Sequence, residues 1–102
     1  MTKKIKLGLA SICLLALVAS GCGFAQQLDD SEHQSLDTAA ALEGVSQDSN
    51  EGAADIYIER LRTKPCAKHE GLTVREFVGD HVDNLGAEAG RVERALDEAE
   101  RC

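Results

Sequence analysis

Aromatic residues are scarce in this 102-residue chain, with one Tyr, two Phe and no Trp. Such a sequence has few large side chains with which to build a core, and few flat rings on which nucleic-acid bases could stack. Proline is limited to Pro65, so long helical stretches are free of ring-imposed breaks. No apolar run reaches the roughly 20 residues that a membrane-crossing helix needs. The longest, Leu7 to Val18, follows Lys3, Lys4 and Lys6 and ends in the small residues Ala19, Ser20 and Gly21 before Cys22. A basic start, a short apolar stretch and a small-residue exit form an export signal rather than a resident helix.

Several catalytic signatures are also missing. No Ser stands in a Gly-x-Ser-x-Gly turn, no glycine loop precedes a Lys, and the carboxylates are spread too evenly to nominate a reacting pair. No catalytic residue and no cofactor are therefore assigned, and no enzymatic activity is expected. Basic charge is sparse as well. Once residues 1–21 are removed, eight Lys and Arg remain against 18 Asp and Glu, a net charge of −10. That surface repels phosphates, which argues against nucleic acid as a partner and favours a basic or neutral protein.

The segment Val18-Ala19-Ser20-Gly21-Cys22 resembles the lipobox of bacterial lipoproteins, with Ala19 where a larger aliphatic residue is preferred. The resemblance implies cleavage before Cys22, acylation of Cys22, and membrane attachment through the lipid. Gly23, rather than aspartate, after the cysteine implies the outer membrane rather than the inner one. Cys13 is a poor alternative, because Ile12 precedes it and a cut there would halve the apolar run. An ordinary secretory cut after Ala25 would instead release a soluble periplasmic or secreted chain beginning at Gln26.

Residues 22–52 read as the lipidated cysteine and a disordered acidic tether. From Gly23 to Gly52 there are seven acidic residues and no Lys or Arg. A flexible chain of that length spans about 30 Å between its ends, and charge repulsion extends it further. Within it, Leu36 to Glu43 has the composition of a short helix, marginal by itself.

Residues 53–102 carry helical periodicity, and the expected fold is all-α, a small up-down-up three-helix bundle. Its first helix runs from Asp55 to Lys64 and stops at Pro65. The second starts at Thr73, which forms a capping box with Glu76. The third covers Ala87 to Arg101. Val78, Val82, Leu85, Ala89, Val92, Leu96 and Ala99 also form a heptad seam, which permits one helix of about 43 Å and association of copies as a coiled coil. Gly79, Gly86 and Gly90 oppose that helix, and Asn84-Leu85-Gly86 reads as a helix stop.

Signal removal and acylation leave Cys66 and Cys102 as the two free thiols of an exported chain, so they are expected to pair in a disulfide. The bundle brings them together, whereas the continuous helix keeps them apart. Cys66-Ala67-Lys68-His69 has metal-ligand spacing, with His81 and Cys102 as further candidates. His81 would lie about 12 Å along its helix, out of reach, so no metal site is expected; His69 and His81 read as surface residues.

The functional expectation is a lipid-anchored acidic helical module for protein–protein interaction at the bacterial envelope. Small conjugative entry-exclusion lipoproteins look similar in scale. Two alternatives are the trimeric helical envelope lipoproteins, which the chain resembles only in its heptad seam because it ends Arg101-Cys102 rather than in their wall-linking lysine, and the short disulfide-closed periplasmic chaperones, similar in scale.

Overall fold

The computed structural model describes residues 25–102. Residues 1–21, expected to be an export signal, with Cys13 among them, and Cys22, expected to carry lipid, lie outside the described residues. Among those described, the fold is mostly helical, as expected for an all-α chain, with one two-stranded hairpin added.

Helix α1, Asp30–Leu42, corrects the expectation of a disordered tether. It starts six residues before the short helix read from composition, because Asp29 and Glu32 form a capping box. The Asp29 side chain accepts the Glu32 N–H at 3.0 Å, and the Glu32 carboxylate accepts the Asp29 N–H at 3.2 Å. Leu36 and Ala39, one turn apart, are fully buried against the following helix. Packing, rather than propensity, holds this helix.

Helix α2, Gln47–Thr63, is capped by Ser46, whose hydroxyl accepts the Ser49 N–H. It begins eight residues earlier than expected, so the boundary drawn between residues 52 and 53 falls inside it. Ala53, Tyr57 and Leu61 step by four along its buried face. Lys64 and Pro65 terminate it.

The hairpin pairs β1, Lys68–His69, with β2, Leu72–Thr73. Its loop is Glu70-Gly71, with φ of 52° and 85°. Two successive positive φ values match the right-handed twist of a tight hairpin. Residues entering from the N-terminal side dock alongside: Gln27 bridges Lys68 in parallel, the Lys68 N–H donates to the Gln26 carbonyl, and the Leu28 N–H donates to the Lys68 carbonyl.

Helix α3, Val74–His81, begins on the Thr73–Glu76 capping box. It passes into a tighter 3-10 stretch over Val82–Glu88, and helix α4 follows over Ala89–Glu98. The stretch is kinked at Gly86, with φ 60° and ψ −125°, a conformation that a Cβ disfavours. A continuous helix over residues 73–101 is thereby ruled out. Val78, Val82, Leu85 and Val92 of the heptad seam are buried in the chain's own core. That core is one cluster in which Leu28, Leu36, Tyr57, Leu61, Phe77 and Leu85 are prominent.

Candidate functional site

Capping boxes and helix ends deliver the polar groups of the molecule. Asp29 is held below the ordinary carboxylate range chiefly by the backbone N–H of Glu32, and Glu76 chiefly by that of Thr73. Glu32 is lowered first by a hydrogen bond from Lys64, with which it pairs across α1 and the end of α2. Arg91 of α4 spans Asp55 of α2 at 2.9 Å and Glu88 at 2.8 Å, and these bonds favour its charged form. Between α2 and α4 lies an open groove of about 450 Å³. Its walls carry Arg62, Arg91 and Arg94 together with Asp55, Glu59 and Glu98, so it has no strong bias of charge.

Beneath the α1–α2 turn, the Tyr57 hydroxyl donates to Glu43 Oε2 at 2.8 Å, with both residues buried. Burial, and then the hydrogen bond to the Glu43 carboxylate, push the Tyr57 phenol far above its ordinary value.

The densest chemistry lies where α1 meets the hairpin. His33 and Asp37, four residues apart on α1, share a face and approach His69 of β1. His69 Nδ1 is 3.1 Å from His33 Nδ1, and His69 Nε2 is 3.1 Å from Asp37 Oδ1. Glu70 Oε1 is 3.9 Å from the same Nε2. Both ring nitrogens of a fully buried imidazole are thus engaged. The His33–His69 contact accommodates one proton between the two Nδ1 atoms, so one ring must present a lone pair there.

His69 also meets Phe77 edge-on at 4.4 Å between centroids, and Phe77 stacks on His81 at 4.2 Å. His81 donates Nδ1–H to the Phe77 carbonyl at 2.8 Å. Neither histidine is the exposed residue that the sequence reading expects: His69 is buried in the hairpin and His81 is half-buried. Both sit there because Phe77 offers an apolar ring between α3 and β1.

Cys66 and Cys102 are joined in the structure, with Cα atoms 5.6 Å apart. Their sulfurs are consumed, so the combination Cys66, His69, His81 and Cys102 does not assemble as ligands. The disulfide borders a cleft of about 260 Å³ that Gln26 also lines, so the chain enters the body at its disulfide-bonded end. The grouping of His33, Asp37, His69 and Glu70 escapes sequence reading, because a tether assignment removes the helix on which His33 and Asp37 become neighbours. The spacing of four between them was the available signal. No protein-family model, curated protein or solved structure matches the chain.

Proposed function

We propose that this chain is an exported lipoprotein, fastened through acylated Cys22, that presents a compact acidic helical body to a basic protein partner at the bacterial envelope. The observation that supports this reading is that the chain is already docked on the body at Gln26, four residues after Cys22. Gln26 already bonds to Lys68, and the four residue steps from Cys22 to Gln26 cover no more than about 14 Å. The disulfide-bonded end then faces the leaflet, and helices α2, α3 and α4 are read as an up-down-up arrangement closed by that bond.

Helix α2 has 17 residues and extends about 25 Å from this end, so in this reading the α1–α2 turn is at the end away from the lipid. At that turn Val45 is 68% exposed, the one large hydrophobic so displayed among the described residues. Asp48 and Glu51 follow it and are exposed, and Gly86 lies beside Asn50 on the same end. An apolar contact flanked by carboxylates suits a basic protein surface. With its seam inside its own core, the body has little to bury in a homotypic coiled coil.

Two measurements test this reading. Mass spectrometry of the native N-terminus should find a diacylglyceryl-modified Cys22; an unmodified chain starting at Gln26 refutes the anchor. A photo-crosslinker at position 45 should capture a partner in intact envelopes, and Asp48→Lys with Glu51→Lys should abolish capture. Undiminished capture by the doubly substituted protein refutes the distal acidic contact.

A further inference from the structure

We propose that Asp37, His69 and Glu70 bind a single divalent transition cation of the zinc class. The ligands would be His69 Nε2 and one carboxylate oxygen each from Asp37 and Glu70, with solvent completing the shell. Those three ligand atoms lie within 4.8 Å of one another. Zinc bonds of about 2.0–2.1 Å in a tetrahedron place ligand atoms about 3.3 Å apart. The observed separations of 3.1 Å to Asp37 and 3.9 Å to Glu70 bracket that edge. The two carboxylate side chains are 55% and 62% exposed, so both can adjust while His69 stays fixed.

Two features favour a cation over a lone proton at this point. An Nε2–H satisfies one acceptor, yet two carboxylates converge on His69 Nε2, and a cation would neutralise both. The second feature is on the opposite side of the ring. Metal-bound histidines hold their other N–H with an acceptor that orients the ring, and His33 Nδ1 stands 3.1 Å from His69 Nδ1 for that role. Full burial of His69 and its edge contact with Phe77 fix the imidazole beforehand, which reduces the entropy lost on binding. One imidazole with two carboxylates suits Zn²⁺ and its first-row neighbours, whereas Mg²⁺ and Ca²⁺ prefer oxygen shells. In the bound form the metal takes the Nε2 lone pair of a neutral His69 whose single proton sits on Nδ1 and is donated to His33; a proton present on Nε2 beforehand moves to Nδ1 or leaves to solvent.

The test is calorimetric titration of the untagged mature protein, disulfide intact, with ZnCl₂, and with MgCl₂ as the contrast. One Zn²⁺ per chain is expected, with Asp37→Asn and Glu70→Gln each weakening binding by at least about tenfold and His33→Leu by about 10–100-fold. Far-UV circular dichroism checks that the exposed-site variants remain folded. Long-range ¹H–¹⁵N spectra of the zinc-bound protein should show His69 with Nε2 unprotonated and Nδ1 protonated. Zinc binding no tighter than in the Asp37→Asn, Glu70→Gln double variant, or zinc that leaves the His69 resonances unmoved, overturns the proposal.

Discussion

Replacing Cys66 and Cys102 together by serine removes the covalent tie between the end of α2 and the tail beyond α4. The bond joins positions 36 apart, and the chain-entropy relation then assigns it about 3.8 kcal/mol at 25 °C. For a described body of 78 residues the total stability should be about 4–12 kcal/mol. The bond therefore supplies between a third and nearly all of it. The structure supports a large effect, because little else secures the tail: Ala99 packs at the edge of the core, the last backbone hydrogen bond of α4 runs from the Ala99 N–H to the Leu96 carbonyl, and Glu100 to Cys102 are exposed. At about 4–8 °C per kcal/mol for a domain of this size, Tm should fall by about 15–30 °C. Thermal melts followed by far-UV circular dichroism, and urea titrations at 25 °C, would compare the oxidised protein with the double-serine variant. Both cysteines must be changed, since a lone thiol would form intermolecular disulfides. A fall below about 5 °C would show that closing this loop scarcely restricts the unfolded chain, and would refute the assignment.

Leu36→Ala should lower stability by about 2–5 kcal/mol in urea unfolding, because Leu36 is fully buried; a loose N-terminal segment would give no change. Tyr57→Phe should cost about 1–3 kcal/mol by stranding the buried Glu43 carboxylate, and combining it with Glu43→Leu should recover part of the loss in a double-mutant cycle. Stability should also fall in acid. Asp29, Glu32 and Glu76 have folded-state values below their unfolded references of 3.8, 4.5 and 4.5. The unfolded chain binds more protons over that interval, so the contribution is complete above about pH 5 and is lost as pH drops through the depressed values. Urea midpoints between about pH 6 and pH 3 should show this decline, and Asp29→Ala with Glu76→Gln, which removes two of the three groups, should make it shallower.

Local signals in the sequence determined much of the C-terminal half. Thr73 and Glu76 specify a helix start within four residues, Pro65 removes the N–H that α2 would need to continue, and Gly86 tolerates a backbone angle that other residues avoid. Cys66 and Cys102, paired in the structure, needed only that α4 turn back, which the Gly86 break permits. Tertiary structure decided the N-terminal half. Residues 23–52 have the charge and polarity of a tether, and a 13-residue α1 is marginal in water by itself. Burial of Leu36 and Ala39 against α2 makes it a helix, and that burial depends on neighbours a linear reading cannot place. The same docking carries His33 and Asp37 to His69 and Glu70, across a separation of 36 residues from His33 to His69. Periodicity identifies which residues share a helix face; which foreign side chains that face will meet is settled only when the core closes.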